Sequence, residues 1–345
     1  MTKTVFVGLS GGVDSSVAAL LLKKKGYNVV GVFIKSWYPP GFPCPYPIDR
    51  RDAIRICAKI GIPFLEFHLE KVYKKEVTDY LIREYEKGRT PNPDVMCNKF
   101  VKFGAFFQEA RARGADYVAT GHYARLKNNT LYQAKDKTKD QSYFLWPLTK
   151  KELKHTLFPV GDYLKKDVRK MAKKASLPTA AKPDSQGICF LGEFDIKDFL
   201  KNYLKVKNGN VLNEKREVIG IHEGAYFYTL GERHGFVITK KTPTDSAYYI
   251  IAKNIKNNTL TVSHNPKMGE KIQIFIKDTN WITGKPKVNK IYLARIRHLG
   301  QLKKAKVVKV GKMTEIKFLE PVLVAPGQSL VLYNKEECIG GGVVV

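Results

Sequence analysis

The sequence predicts an α/β domain built on a parallel sheet, followed by a small β-rich segment and a C-terminal β-barrel. In residues 1–206, short apolar runs alternate with amphipathic stretches, as strands and helices do in a parallel α/β sheet. From about Gly209 the chain changes to short β-branched runs separated by Gly, Asn and Pro. A length of 345 residues suits two or three domains. We therefore expect domains at 1–206, 207–270 and 271–345.

Four apolar runs predict the strands of the parallel sheet: Thr4–Leu9, Val29–Ile34, Pro63–His68 and Tyr117–Thr120. The stretches between them predict helices at 15–25, 49–60, 72–86 and 100–113. The Pro- and Asn-rich stretch Gly88–Asn98 predicts a loop, and residues 150–206 read as mainly helical and Lys-rich. Ligands of parallel sheets bind beyond the carboxyl ends of the strands, so we expect a site there.

The third predicted domain contains five β-branched runs at short spacing, which is typical of a small barrel. These runs are QIFI, KIYLARI, AKVVKV, TEIKFL and SLVLYN.

Charge and cysteine usage narrow the class of protein. The formal net charge of +28 favours a polyanionic partner such as nucleic acid or an acidic membrane, although a solvated Lys-rich surface gives the same total. No apolar run approaches about 18 residues, so no membrane span is predicted. Five cysteines without a CxxC pair argue against a disulfide framework and for a reducing compartment. With a strand-like run at the start and no leader ahead of it, we expect a cytoplasmic protein.

A glycine turn, Ser10–Ser15 (SGGVDS), separates the first predicted strand from the first helix. Its glycines allow a tight turn with inward-pointing N–H groups, and the helix N-terminus adds partial positive charge for an anion. Asp14 can cap the helix or help to place Mg²⁺. The turn is neither GxxxxGK[ST] nor GxGxxG. It resembles the fingerprint of the PP-loop ATP pyrophosphatases, whose members adenylate a substrate oxygen; a capped turn without a ligand is the alternative.

Two cysteines fall in predicted loops, Cys97 in Gly88–Asn98 and Cys189 in Lys182–Phe190. A thiolate can carry a terminal sulfur as a persulfide, and a second thiol can reduce it. Two loop cysteines together with an ATP-activating turn therefore suggest sulfur transfer. Packing of small buried cysteines is the alternative, and it fits Cys57 and Cys338. Cys44 is ambiguous, and without CxxC no protein-only metal site is predicted.

Nine segments, in order along essentially the whole chain, resemble the MnmA family of bacterial tRNA-specific 2-thiouridylases: GLSGGVDSSVAALLL, GVFIKSW, GRTPNPDVMCN, GADYVATGHYAR, KDQSYFL, KPDSQGICF, ARIRH, APGQ and CIGGG. The resemblance implies a PP-loop (adenine nucleotide alpha hydrolase-like) catalytic domain, a central domain and a tRNA-binding barrel. It also implies ATP-dependent 2-thiolation of the wobble uridine of tRNA. In that reaction the C2 oxygen is adenylated and then replaced by sulfur, and AMP and pyrophosphate are released. ATP, Mg²⁺ bound with it, and a protein that donates persulfide sulfur are the implied cofactors and partners.

The resemblance also assigns residues to the ATP site and to catalysis. Asp94 is implied to act as a general acid or base beside the target base, with a mere turn cap as the alternative. Cys189 is implied to receive the persulfide, and Cys97 to finish as its disulfide partner. The target base is expected to contact Asn92, Pro93 and Asp94. The implied ATP contacts are Gly8, Leu9, Ser10, Gly11, Gly12, Val13, Asp14, Ser15, Ile34 and Gly121.

For tRNA, the resemblance implies contacts from His122, Lys139, Asp140, Gln141, Arg297, His298 and Gln328. Arg295 and Arg297 alternate along a predicted strand and share one face, which suits phosphate contact or equally a solvated face. The expected substrates are tRNAs for Glu, Gln and Lys, and we expect a monomer. Glu232 and His234 depart from the Gln and Lys usual in the family, so the role of that hairpin is in doubt.

Three alternatives stay open at this stage. A PP-loop ligase acting on a small carboxylate or nucleotide would have no use for two loop thiols or a basic barrel. A non-catalytic RNA-binding protein with a vestigial turn would release no AMP. An iron–sulfur cluster in place of the persulfide, as some related thiolases use, is not favoured.

Overall fold

The first sheet of the computed structural model is parallel and has five strands in the order β3-β2-β1-β4-β7. The structure describes residues 2–184, 187, 189, 195–240 and 246–345, so positions 185, 186, 188 and 190 of the predicted loop 182–190 lie outside the described residues. The strands are β1 (Thr4–Leu9), β2 (Asn28–Lys35), β3 (Phe64–His68), β4 (Tyr117–Ala119) and β7 (Thr156–Leu157). The predicted parallel α/β fold is confirmed. Only β7 was missed, because two residues are too few to show a period.

The described residues form nine α-helices, most of which lie between the strands of this sheet along the chain. They are α1 (Val13–Lys24), α2 (Tyr46–Ile60), α3 (Glu70–Tyr73), α4 (Asp79–Glu86), α5 (Pro93–Met96), α6 (Phe106–Ala112), α7 (Lys150–Lys154), α8 (Lys165–Lys174) and α9 (Ile196–Lys201). Single-turn 3₁₀ segments lie at Ser142–Leu145, Ala225–Phe227 and Pro266–Gly269. Two π-helical segments, Lys74–Thr78 and Cys97–Ala105, join α3 to α4 and α5 to α6. None of the helices among the described residues has the length and hydrophobicity that a bilayer crossing requires.

The loop predicted for Gly88–Asn98 is wrong in its second half, where the helix already begins at Pro93. Asn92 caps this helix, because its Oδ1 accepts a hydrogen bond from the N–H of Val95 at 3.2 Å. Proline suits the first helical position, where its missing N–H costs nothing. Asn-Pro is thus a helix start here, and Cys97 lies at the beginning of a π-helical segment instead of in a loop.

A second sheet, in the order β10-β9-β8-β12-β11, forms the centre of the chain. Its strands are β8 (Gly209–Leu212), β9 (Val218–His222), β10 (Val237–Ile238), β11 (Tyr249–Asn254) and β12 (Thr259–Ser263). Phe199 and Leu200 of α9 share one hydrophobic core with this sheet and with Leu81 of α4. The predicted boundary at 206/207 assigns α9 to the first domain, whereas its packing belongs with the centre; the three domain ranges stay predictions.

The C-terminal strands form a closed barrel, since β13 pairs with both β16 and β18. The strands are β13 (Lys271–Trp281), β14 (Ile291–Arg295), β15 (Lys303–Lys309), β16 (Thr314–Val322), β17 (Ser329–Asn334) and β18 (Glu337–Val344). The sequence predicted the first five and missed β18, whose three glycines read as a breaker. A hairpin of the first domain, β5 (Ala124–Lys127) and β6 (Thr130–Gln133), extends the barrel sheet through the pairing of Tyr132 with Glu337.

The first domain and the barrel also share a buried polar seam. The Tyr143 hydroxyl donates to the Ser329 carbonyl at 2.8 Å, and Trp146 Nε1 donates to Ser329 Oγ at 3.0 Å. Asn280 of the barrel donates to the carbonyl of Trp146 at 2.7 Å. Because buried polar groups need fixed partners, these bonds set the position of the barrel relative to the first domain.

Candidate active site

The glycine turn follows β1 and opens α1 at the carboxyl end of the parallel sheet. The N–H of Ser10 donates to Ser15 Oγ at 3.2 Å, which closes the turn. Gly11 has φ +71°, and a Cβ there would lie 2.6 Å from the carbonyl oxygen of Asp49. A Cβ on Gly121, at the end of β4, would lie 2.6 Å from the Ser15 nitrogen. The structure therefore brings Gly121 against the turn, as the predicted ATP site requires, and only glycine fits at either contact.

Asp14 is the carboxylate of this turn, and two side chains hold it. The Tyr123 hydroxyl donates to Asp14 Oδ1 at 2.9 Å, and Lys165 Nζ donates to the same oxygen at 2.7 Å. Burial together with the Asp14 charge raises the pKa of Tyr123, so its hydroxyl stays a donor. Ile34, predicted to line the adenine pocket, is 4% exposed at the end of β2.

The two predicted catalytic cysteines lie close together: Cys189 packs against the hydrophobic cluster that contains Cys97, and each sulfur shifts the pKa of the other. Both are free thiols. The backbone of Cys189 is fixed from two sides: its N–H donates to Asp94 Oδ1 at 2.9 Å, and its carbonyl accepts from the Tyr73 hydroxyl at 2.7 Å. Cys97 is fully buried and Cys189 is partly exposed. Sulfur arriving from outside would therefore meet Cys189 first.

The two thiols differ in acidity. Burial and the neighbouring Cys189 sulfur raise the pKa of Cys97 well above its usual range. The hydrogen bond from Cys97 lowers the pKa of Cys189 to about 7, against the opposing effect of burial, and the nearby Lys102 charge lowers it further. A thiolate is the nucleophilic form of cysteine. Cys189 is therefore the ionised member of the pair and Cys97 the hydrogen-bond donor.

Lys102 is a site residue that the sequence reading missed. Its ammonium group lies 3.5 Å from His122 Nε2 and is close enough to the Cys189 sulfur for the two to shift each other's pKa. Although burial opposes its charge, the sulfurs of Cys189 and Cys97 keep the pKa of Lys102 above its usual value. In an α-helix, Lys102 would lie about 140° around the axis from Cys97. The π-helical segment bonds residue i to residue i+5 and brings both onto one face, which a period of 3.6 does not reveal.

Asp94 and Asn92 have separate roles in the structure. Asn92 is the helix cap, so the alternative in which Asp94 merely caps a turn is not what the structure contains. The Asp94 carboxylate accepts from the Cys189 N–H, and burial raises the pKa of that carboxyl. Pro93, between them, is buried. A carboxyl with a raised pKa beside the thiol pair accepts a proton more readily than an exposed aspartate does.

His122 is 6% exposed and lies inside the site, packed against the rings of Phe103 and Phe158, each with a centroid separation of 6.0 Å. Burial and the Lys102 charge lower the pKa of His122 well below its usual value. Its Nδ1 lies 2.7 Å from Thr120 Oγ1. A neutral, enclosed His122 links the end of β4 to Lys102, so its predicted contact with tRNA would require rearrangement of its surroundings.

Most of the remaining residues predicted to contact tRNA join parts of this protein. Asp140 is 0% exposed and pairs with Arg295 of the barrel at 2.7 Å. Gln328 Nε2 donates to the carbonyl of Thr90 at 3.0 Å, between the barrel and the loop that leads to Asn92. His298 stacks on the Phe144 ring at 4.3 Å, Gln141 Oε1 accepts from the Tyr123 N–H at 2.9 Å, and Lys139 pairs with Asp184 at 2.8 Å. Arg297 is exposed.

The hairpin that contains Glu232 and His234, where the sequence departs from the family pattern, packs against the loop of Thr90. Thr229 Oγ1 lies 3.1 Å from Thr90 Oγ1, and Glu232 Oε2 accepts from the N–H of Thr229 at 3.0 Å. Glu232 therefore supports the hairpin from within. His234 is exposed and has Glu232 as its ion-pair partner at 3.8 Å.

Comparison with known proteins gives three consecutive family matches. Residues 3–193 match the "tRNA methyl transferase HUP domain", residues 197–264 the "tRNA methyl transferase PRC-barrel domain" and residues 271–344 the "Aminomethyltransferase beta-barrel domain". The chain is 43% identical to the tRNA-specific 2-thiouridylase MnmA of Bacillus cereus over 99% of its length and 94% of the relative. It is 42% identical to that of Bacillus cytotoxicus over the same shares. A 4-thiouridine synthetase–RNA complex with bound ATP is 19% identical over 58% of this chain and 50% of the other, with a TM-score of 0.37, too low to carry an argument.

Proposed function

This chain belongs to the tRNA-specific 2-thiouridylase family, and on that premise we propose that it catalyses ATP-dependent 2-thiolation of the wobble uridine (U34) of tRNA. One observation carries the proposal: Cys97 and Cys189 lie close together beside Asp94, at the edge of the sheet where the ATP turn lies. A ligase that activates a carboxylate has no need of such a pair. The pair, instead of the turn alone, therefore points to sulfur as the group transferred.

The first chemical step uses the ATP turn. The C2 oxygen of the uridine attacks the α-phosphorus of ATP, and pyrophosphate leaves. The N–H groups of the turn and the N-terminus of α1 favour the negative charge of the phosphates. The product carries AMP on the former carbonyl oxygen, which makes C2 an electrophile with a good leaving group.

The second step uses the thiol pair. A donor protein first places a terminal sulfur on Cys189, giving a persulfide. The terminal sulfur attacks C2, AMP leaves with the oxygen, and the Cys97 sulfur then attacks the Cys189 sulfur to release 2-thiouridine. In the other order, Cys97 attacks first and the freed sulfide attacks C2. Either way Cys97 loses its proton, for which Asp94 is the neighbouring base, and a disulfide forms that a two-electron reductant must reopen.

Mg²⁺ and the finer assignments of partner belong to the same proposal. Among the described residues, no group of three or more His, Cys, Asp or Glu side chains is placed to hold a metal ion. The carboxylate of Asp14 at the turn fits an ion held mainly by the phosphates of ATP, which would supply charge neutralisation there. We propose tRNAs for Glu, Gln and Lys as substrates, a persulfide-donating protein as partner, and a cytoplasmic monomer.

The function is tested by incubating the protein with unmodified tRNAs for Glu, Gln and Lys, ATP, Mg²⁺ and sulfide, followed by nucleoside analysis. We expect 2-thiouridine together with one AMP for each base modified. Cys189→Ser should abolish product when a persulfide donor supplies the sulfur, whereas Cys44→Ser, which removes an exposed thiol, should not. Absence of 2-thiouridine from all three tRNAs would refute the proposal. Iron and acid-labile sulfide in anaerobically purified protein would favour the cluster-dependent alternative.

A further inference from the structure

We propose that Lys139, Lys165 and Arg169 form the binding site for the β- and γ-phosphates of ATP, and that the Asp184 carboxylate occupies this site when no nucleotide is bound. The proposal rests on the proposed function, which requires ATP to bind at the turn. It adds a phosphate site outside the turn and a competitor that the chain itself provides.

Three cations converge on the one carboxylate. Lys139 Nζ lies 2.8 Å from Asp184 Oδ2, Lys165 Nζ lies 2.9 Å from Oδ1, and the Arg169 guanidinium donates to the same Oδ1. Although burial disfavours its charge, the hydrogen bonds from Lys139 and Lys165 hold the pKa of Asp184 well below its usual range. One carboxylate offers two oxygens and a single charge. A pyrophosphate group offers more of both, so it is the better ligand for this set.

The cluster stands at the mouth of the ATP turn. Lys165 is the link, because its Nζ donates to Asp14 at 2.7 Å and at the same time pairs with Asp184. The side chain of Lys165 is only 12% exposed. A mostly buried ammonium group requires anionic partners. Nucleotide phosphates that lie along the turn beside Asp14 would therefore reach Lys165 and compete with Asp184 for it.

Asp184 precedes Cys189 by five residues in the chain. The proposal therefore couples phosphate binding at the cation cluster to the accessibility of the Cys189 thiol. Ion pairs hold residues 182 and 184, in addition to the hydrogen bonds that Asp94 and Tyr73 make with the Cys189 backbone. Lys182 pairs with Asp49 and Asp52 of α2, each at 2.8 Å, and Asp184 pairs with the cation cluster. Cys189 follows five residues after Asp184, a chain length that spans at most about 18 Å. Displacement of Asp184 by phosphate would keep the ion pairs of Lys182 and release those of Asp184, nearer the thiol.

The test is binding of inorganic pyrophosphate and of ATP to the full chain by calorimetry. Asp184→Asn keeps the side-chain shape and removes the competing charge, so we expect both ligands to bind about fivefold more tightly, the effect of one partly exposed ion pair. Lys165→Met and Arg169→Met should weaken both by about tenfold or more. AMP lacks the β- and γ-phosphates, so its affinity should not change in any variant.

Two exposed neighbours provide matched controls. Asp162→Asn and Lys166→Met make the same charge changes outside the cluster, and their pyrophosphate affinity should equal that of the unaltered protein. If Asp184→Asn weakens binding or leaves it unchanged, Asp184 is not a competitor and the inference is wrong. Unchanged affinity in Lys165→Met and Arg169→Met would remove the phosphate site itself. Neither result depends on thiolation, so an inactive enzyme that shows the expected affinities would refute only the proposed function.

Alkylation of Cys189, followed by mass spectrometry of its peptide, tests the coupling. In the unaltered protein ATP should accelerate labelling, and AMP should not. In Asp184→Asn labelling should already be fast without nucleotide. Equal labelling rates in all these conditions would contradict release of the segment, and thermal unfolding of each variant checks that it is folded.

Discussion

At the scale of single residues, the chemistry of the site depends on one ammonium group. Lys102 lies 3.5 Å from His122 Nε2 and near the Cys189 sulfur, so a single charge acts on the pKa of the thiol and on the pKa of the imidazole. It favours the thiolate at Cys189 and the neutral ring at His122. A nearby positive charge lowers both pKa values. It thereby favours the ionised form of the thiol, which is an anion, and the neutral form of the imidazole, whose protonated form is a cation.

Lys102→Met should therefore raise the pKa of Cys189. If that pKa rises from about 7 to the value of about 8.5 typical of a free thiol, the rate of iodoacetamide labelling at pH 7 should fall about tenfold and recover at higher pH. A merely structural role would not shift the pH profile. Lys99→Met, an exposed lysine in the same π-helical segment, is the control and should leave the profile unchanged. An unshifted profile in Lys102→Met would contradict the assignment.

The histidines give a second prediction at this scale. Burial lowers the pKa of His298 to about 4. The unfolded chain, with a pKa of about 6.5, binds more protons than the folded chain between these values, so the free energy of unfolding should fall as pH falls below about 6.5. Urea unfolding at pH 7 and pH 5 measures this loss, of at most about 2 kcal/mol for this histidine. His298→Phe keeps the ring against Phe144 and should reduce the loss; an equal loss in the variant would contradict it.

At the scale of elements, strand β18 shows how a sequence that reads as a breaker becomes a barrel strand. Gly340 has φ +131°, and a Cβ there would lie 2.1 Å from the carbonyl oxygen of Asn280. At Gly341 the nearest atom would be the carbonyl oxygen of Leu330, at 2.4 Å. Glycine is therefore required where β18 crosses close to β13 and β17.

Gly340→Ala should reduce the free energy of unfolding by more than about 2 kcal/mol, since both the conformation and the space exclude a side chain. Gly311→Ala is the control, because its Cβ would find its nearest neighbour, the Met313 carbonyl oxygen, at an ordinary 3.6 Å. Urea unfolding of the two variants measures the difference. Equal stability would show that β18 moves away from β13 at no cost.

At the scale of the whole molecule, the segments predicted to contact tRNA also hold the domains together. Asp140 and Arg295 form an ion pair across the interface, and both are buried. Removing one partner of such a pair leaves a buried charge uncompensated, at a cost of about 3–5 kcal/mol. Because the barrel is fixed, Gln328 is held at the carbonyl of Thr90, in the loop that leads to helix α5.

Contact with tRNA and domain positioning can be separated by experiment. Arg297→Met removes an exposed charge, so tRNA binding should weaken and its dependence on salt should decrease by about one phosphate contact, with no loss of stability. Asp140→Asn should instead lower the free energy of unfolding by about 3 kcal/mol. Filter binding over a range of salt, with urea unfolding of both variants, gives the answer. A stable Asp140→Asn protein with weakened tRNA binding would favour direct contact by Asp140.

Features that depend on local pattern could be predicted from the order of the amino acids. The period of apolar residues predicted four of the five parallel strands, and the runs of the barrel predicted five of its six. The family motifs supplied Cys97, Cys189 and the ATP turn, because these residue types carry the chemistry wherever they are placed.

Features that depend on the proximity of distant residues became visible with the three-dimensional structure. It showed that the helix starts at Pro93, that a π-helical segment turns Lys102 toward the thiols, and that Asp184 lies among three cations. Lys102 and Asp184 are ordinary charged residues in the sequence. Their importance comes from the groups that surround them, since a charge acts strongly only where burial removes water and neighbours lie within a few ångströms.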